Sequence, residues 1–166
     1  MNVITLIGKA DSGKTSSLKY CFLEMLGSDD FKLLWKSKHF FDDKEQIKKD
    51  IHDNWKTKQQ KGISDISGVF EYKGKRIFIV SIGDSIPAIR NQLKNRLKQY
   101  PDIDMYICAR HYDKNIKKEL ESLELEISEI PIEKYRASNP DEYDRENKKT
   151  GKEVFNKIIE IYKDLK

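Results

Sequence analysis

The chain alternates between short apolar runs and longer segments in which apolar residues recur every three or four positions. Short runs bounded by turn residues predict strands, and the longer spacing predicts amphipathic helices. Strands are therefore predicted over residues 3–7, 31–36, 66–72, 76–82, 103–109 and 125–132. The segments 77–82 and 103–109 are almost continuously apolar, which is typical of central strands covered on both faces.

Helical spacing and end signals predict helices over residues 14–26, 42–61, 85–100, 116–123 and 151–165. Thr150 and Glu153 have the spacing of a capping box before the last helix, although a start near Asn139 is also open. Strands that alternate with helices favour an α/β fold with a mainly parallel central sheet and helices on both faces. Lys73-Gly74-Lys75 adds one antiparallel hairpin between two of the strands.

The connection between the first strand and the first helix reads Gly-Lys-Ala-Asp-Ser-Gly-Lys-Thr over residues 8–15. It fits the pattern G-x-x-x-x-G-K-[ST], in which a glycine-rich turn lets backbone N–H groups crowd around a phosphate. A strand before the loop and a helix after it aim a helix N-terminus at that anion. Lys14 could instead be a solvated lysine, but a cation is disfavoured at a helix N-terminus unless an anion compensates it.

Through this loop the chain resembles the P-loop NTPase superfamily, with a Walker A match at residues 8–15 and no particular family indicated. The resemblance implies a three-layer P-loop fold and binding of a nucleoside triphosphate with Mg²⁺. It implies that Lys14 bridges the β- and γ-phosphates and that the Thr15 hydroxyl coordinates Mg²⁺. The residues expected to line the phosphates are Gly8, Asp11, Ser12, Gly13, Lys14, Thr15 and Ser16.

Two further candidates follow strands that should end at the same edge of the sheet, where ligands of parallel sheets bind. Asp84, after the apolar run 77–82, is expected to hold Mg²⁺ as a Walker B aspartate would, although Asp84 or Ser85 could simply cap the next helix. No glutamate follows Asp84, which argues against fast hydrolysis. Arg110 is a candidate cation for binding the β- and γ-phosphates or a second substrate, or it could form a surface ion pair with Asp113 or a glutamate.

Composition adds limits rather than a function. The 166 residues predict a single domain over 1–166, in which 28–65 could be an insertion that binds an acceptor or a partner. A net charge of +4, from 32 basic and 28 acidic residues mixed along the chain, does not indicate nucleic-acid binding. Cys21 and Cys108 are expected to be buried free thiols, as in a reducing compartment. No apolar run is long enough for a membrane span and no signal peptide is visible, so a cytoplasmic location is expected.

These observations favour a Mg²⁺-dependent ATPase that acts as a switch or as part of an assembly, with a protein partner or a second copy. ATP is favoured over GTP because two motifs of Ras-like GTPases are missing. The guanine-binding motif N-K-x-D does not follow the strand at 103–109, and Asp84 does not begin a D-x-x-G motif. A small kinase is the alternative, with Trp35, Phe40, Phe41 and Trp55 as candidates for stacking on an acceptor or as packing residues. A binding module without catalysis also stays open. His39 and His52 lack ligand spacing for zinc.

Overall fold

The computed structural model describes residues 1–10, 12–37, 45, 65–82 and 85–165. Within these ranges six strands form one sheet: β1 Asn2–Ile7, β2 Phe31–Lys36, β3 Ser67–Tyr72, β4 Lys75–Val80, β5 Ile103–Arg110 and β6 Ser128–Glu133. The same ranges contain the helices α1 Lys14–Gly27, α2 Ile86–Leu97, α3 Ile116–Glu121 and α4 Tyr143–Tyr162, the last preceded by a short 3₁₀ turn, Pro140–Glu142. The predicted helix at 42–61 lies outside the described residues apart from Glu45.

The strand order is β2-β3-β4-β5-β1-β6. The pairs β4–β5, β5–β1 and β1–β6 are parallel, whereas β3 runs antiparallel to both of its neighbours. The predicted hairpin joins β3 to β4, and Lys73 and Gly74 in its turn both have positive φ. The sheet is therefore mixed but mainly parallel on the side that contains β1, which confirms the predicted α/β class.

The core lies on both faces of the sheet. On one face α1 and α4 pack over the even-numbered residues of β1, with Phe22 of α1 and Val154 of α4 fully buried. On the other face α2 and α3 contribute Ile89 and Leu120 to a second cluster. Cys21 and Cys108 are buried free thiols, one in each cluster, as predicted. In the described ranges no helix combines the length and apolar character needed to cross a membrane.

The C-terminal helix starts before residue 151, which agrees with the alternative start near Asn139 and not with a start at Gly151. It begins at Tyr143, and Thr150 lies in its interior, where its hydroxyl donates to the Glu146 carbonyl at 2.9 Å. The expected capping box at Thr150 and Glu153 is therefore wrong, because a threonine inside a helix can bond the preceding turn as readily as it caps a new helix. Gly151, which suggested a helix start, lies where α4 touches α1. The last strand begins at Ser128 rather than at residue 125.

Candidate functional site

Residues 8–15, called here the 8–15 loop, follow β1 at the carboxyl edge of the parallel strands. The Gly8 N–H donates to the Arg110 carbonyl at the end of β5, at 3.3 Å. On the other side, the Lys134 N–H, directly after β6, donates to the Ile7 carbonyl at 2.7 Å. The loop thus begins between the ends of two neighbouring strands, at the edge where parallel sheets bind ligands.

Two glycines of the motif are required by close approach. A Cβ on Gly8 would lie 2.5 Å from the Lys134 carbonyl oxygen and 2.6 Å from Ser12 Oγ. Gly13 has φ 90°, and a Cβ there would lie 2.1 Å from Oδ1 of Asn147 on α4. The two glycines therefore lie where neighbouring residues approach the loop backbone most closely, Lys134 after β6 at Gly8 and Asn147 of α4 at Gly13.

Lys14 is the first residue of α1, and only 6% of its surface is exposed. Its Nζ donates to the carbonyl oxygens of Gly8 at 3.0 Å and of Lys9 at 2.7 Å. The interpretation of Lys14 as a solvated lysine is therefore wrong. The ammonium is held inside the turn of the 8–15 loop, beside a helix N-terminus that carries positive partial charge.

The N-terminus of α1 has the features of an anion site. Its N-cap is Gly13, which has no side chain to accept from the helix, and its first turn contains no acidic residue. The first-turn N–H groups, those of Lys14, Thr15 and Ser16, have no acceptor within the helix. Ser12 Oγ is buried and has no hydrogen-bond partner in the described part of the chain. A phosphate at this helix end would accept from these N–H groups, and Ser12 precedes the N-cap directly in the same loop.

The structure brings Thr15 to the end of β4. The Thr15 hydroxyl donates to the carbonyl of Ser81 at 3.2 Å, although β5 separates β1 from β4 in the sheet. Asp84 follows Ser81 by three residues but lies outside the described residues, as does Asp11. Ser85 is the N-cap of α2 and accepts from the Ala88 N–H at 3.4 Å. The capping role proposed for Asp84 or Ser85 is thus filled by Ser85.

Mg²⁺ is the metal that the resemblance implies here, and of its two expected protein ligands the structure describes Thr15 but not Asp84. Mg²⁺ prefers hard oxygen ligands and is usually held by one or two carboxylates together with phosphate oxygens and water. The Thr15 hydroxyl would be one such ligand, and Asp84 is the carboxylate expected from the sequence. The described residues contain no group of three or more His, Cys, Asp or Glu side chains that could hold a metal by themselves.

Arg110 ends β5 next to the 8–15 loop, but its side chain leads away from it. Its Nε donates to Oε1 of Glu129 on β6 at 3.0 Å, and the same oxygen accepts from the Thr5 hydroxyl at 2.6 Å. Its Nη1 also donates to the carbonyls of His111 and Lys114. Since side chains alternate along β5, Arg110 shares the sheet face of Cys108, opposite α1. The structure shows the ion pair with a glutamate, and a role on phosphate stays a prediction.

Two residues at the 8–15 loop were missed by sequence reasoning. Asn147 projects from α4 onto Gly13, and Lys134 follows β6 with 3% of its surface exposed. Burial lowers the pKa of Lys134, and the nearby charges of Glu146 and Lys149 act on it in opposite directions. The rule that ligands bind after parallel strands would have selected Lys134, had β6 been recognised as the direct neighbour of β1. Asn147 gave no sequence signal.

Among the proposed stacking residues, Trp35 packs edge-on against Phe78 and lies under the guanidinium of Arg96, 3.1 Å from the ring centre. It is a packing residue of the sheet, while Phe40, Phe41 and Trp55 lie outside the described residues.

No family model, no curated protein and no solved structure matches this chain.

Proposed function

We propose that this protein binds a nucleoside triphosphate together with Mg²⁺ at the 8–15 loop and is a P-loop NTPase, with ATP favoured over GTP. The observation that carries the proposal is the position of Lys14. Its ammonium is buried in the turn of the loop, next to the open N–H groups at the N-terminus of α1. A polyphosphate would accept hydrogen bonds both from this ammonium and from those N–H groups, and its negative charge suits the positive end of a helix.

The roles of the residues follow from their chemistry. The N–H groups at the start of α1 would hold the phosphate oxygens, and Ser12 Oγ would donate to one of them. Lys14 would exchange its bonds to the Gly8 and Lys9 carbonyls for bonds to phosphate. Mg²⁺ would neutralise charge on the phosphates, with the Thr15 hydroxyl and Asp84 as its protein ligands. Such sites act by positioning and charge stabilisation.

Hydrolysis is the activity we propose first, with slow turnover in the isolated chain because the sequence offers no glutamate after Asp84. A partner or a second copy could supply a missing group. Phosphotransfer to an acceptor and binding without catalysis are the alternatives. A kinase would release or transfer phosphate faster when its acceptor is present, and a binding module would hold ATP without turnover.

The metal-dependent part of this proposal is tested with Thr15→Val, which keeps the side-chain shape and removes the hydroxyl. ATP binding is measured with Mg²⁺ and with EDTA, and phosphate release is followed in parallel. We expect the variant to lose most of the Mg²⁺-dependent gain in affinity and to keep the metal-free affinity. Thr150→Val, in the interior of α4, is the matched control. Equal Mg²⁺ dependence in wild type and Thr15→Val would contradict the role given to Thr15.

A further inference from the structure

Lys134 is held against the 8–15 loop by its backbone. Its N–H donates to the carbonyl of Ile7, the last residue of β1, at 2.7 Å. Its carbonyl oxygen lies so close to Gly8 that a Cβ there would be 2.5 Å away. These two contacts fix the first residue after β6 beside the first residue of the loop, at the carboxyl edge of the sheet.

The side chain of Lys134 is buried, and the ion pairs formed within the described residues do not include it. Lysines are almost never buried without a paired charge, because desolvation of an ammonium is costly. That burial lowers the pKa of Lys134 more than the charge of Glu146 raises it, and Lys149 lowers it further. The local acid therefore compensates the ammonium only in part.

The surroundings of the ammonium connect it to the other end of the loop. Glu146 and Lys149, whose charges act on Lys134, flank Asn147 on α4, and Asn147 contacts Gly13. The backbone of Lys134 therefore contacts Gly8, and its side chain lies near the turn of α4 that contacts Gly13. Beside Gly8, Ser12 Oγ is buried and has no hydrogen-bond partner among the described residues, which is a second, independent sign that a group capable of accepting hydrogen bonds belongs there.

We propose that Lys134 is a second cation of this site and that its ammonium binds a phosphate of the triphosphate held by the 8–15 loop. The inference rests on the proposed function and adds a residue from β6 to a site otherwise made by β1 and α1. Charge-assisted hydrogen bonds of this kind are short and about twice as strong as neutral ones. The ligand would supply negative charge in addition to that of Glu146, which does not offset the burial of Lys134.

The test compares wild type with Lys134→Met, which keeps the length of the side chain without its charge, and with Lys134→Arg. Lys148→Met, an exposed lysine on α4, is the control for net charge. Binding of Mg·ATP and of inorganic tripolyphosphate is measured by titration calorimetry. We expect Lys134→Met to weaken both ligands at least tenfold, Lys134→Arg to restore most of the affinity, and Lys148→Met to match wild type.

Thermal unfolding without ligand separates this role from a structural one. Since Lys134→Met removes a buried charge that Glu146 compensates only in part, the variant should unfold at the same temperature as wild type or higher. If Lys134→Met binds Mg·ATP with wild-type affinity while Lys14→Met binds it more weakly, the inference about Lys134 is overturned and the proposed function stands. Lower thermal stability with unchanged affinity would also overturn it. Absence of binding in wild type would refute both proposals.

Discussion

Gly151→Ala should destabilise the protein although it improves the helix. Gly151 lies in α4, where alanine is intrinsically more favourable than glycine by about 1 kcal/mol. The structure opposes this gain, because a Cβ at Gly151 would lie 2.5 Å from Tyr20 Cβ, 2.6 Å from the Ser17 carbonyl oxygen and 3.0 Å from the Cys21 nitrogen. All three atoms belong to α1, and two of them are backbone atoms that cannot rotate away.

The magnitude follows from these two opposing effects. Overpacking of a tight contact costs about 1–3 kcal/mol, and contact with backbone atoms favours the upper end because α1 and α4 must separate. After the gain in helix propensity, a net loss of about 2 kcal/mol is expected, which lowers the ratio of folded to unfolded protein by roughly 30-fold. Since α1 begins at the 8–15 loop, the same displacement would also disturb the loop.

Urea unfolding followed by circular dichroism measures this loss as a lower midpoint at constant slope. Gly27→Ala is the matched control, because Gly27 is the last residue of α1 and a Cβ there meets nothing within 4 Å. We expect that control to be neutral or slightly stabilising. If Gly151→Ala unfolds at the same urea concentration as wild type, or at a higher one, the close contact between α1 and α4 is not as described.

Three further predictions concern the loop and the buried groups. Gly13→Ala should lower the free energy of unfolding by about 1–2 kcal/mol through its positive φ, and by more through the clash of the new Cβ with Asn147. Adding Asn147→Ala should remove the clash and leave the loss from φ, which urea unfolding of both variants would measure. The pKa of Lys134 is lowered from 10.5, so between the lowered value and 10.5 the unfolded chain binds more protons than the folded protein. The free energy of unfolding should therefore rise with pH over this range. In Lys134→Met that rise should be smaller in urea titrations across the same pH range. Burial raises the pKa of the Cys21 and Cys108 thiols, so a thiol reagent at pH 8 should modify them only after unfolding, and rapid native reaction would contradict their burial.

Features fixed by local chemistry could be predicted from the sequence. The strands at the centre of the sheet are runs of apolar residues, and such runs need no knowledge of their neighbours to be recognised. The 8–15 loop was found because its glycines and Lys14 are constrained at fixed spacings. The structure adds the reason, since Gly8 and Gly13 are the points where Lys134 and Asn147 press on the backbone.

Features that depend on the order of strands could not be predicted. The position of β5 between β1 and β4 cannot be read from local patterns, and it decides that Thr15 reaches across to Ser81. The pairing of β6 with β1 places Glu129 within reach of Arg110, so that the arginine forms an ion pair with it. For the same reason Lys134, one lysine among many in the sequence, gave no sign of being buried.

The central claim is that the 8–15 loop binds a triphosphate through Lys14. Titration calorimetry of Mg·ATP into wild type, Lys14→Met and Lys32→Met tests it most directly, since Lys32 is an exposed lysine on β2, at the far edge of the sheet. Loss of a charged hydrogen bond worth about 1.5–3 kcal/mol predicts an affinity roughly 10- to 150-fold weaker for Lys14→Met. Lys32→Met should match wild type. Equal affinity in all three proteins, with unchanged circular dichroism, would contradict the account.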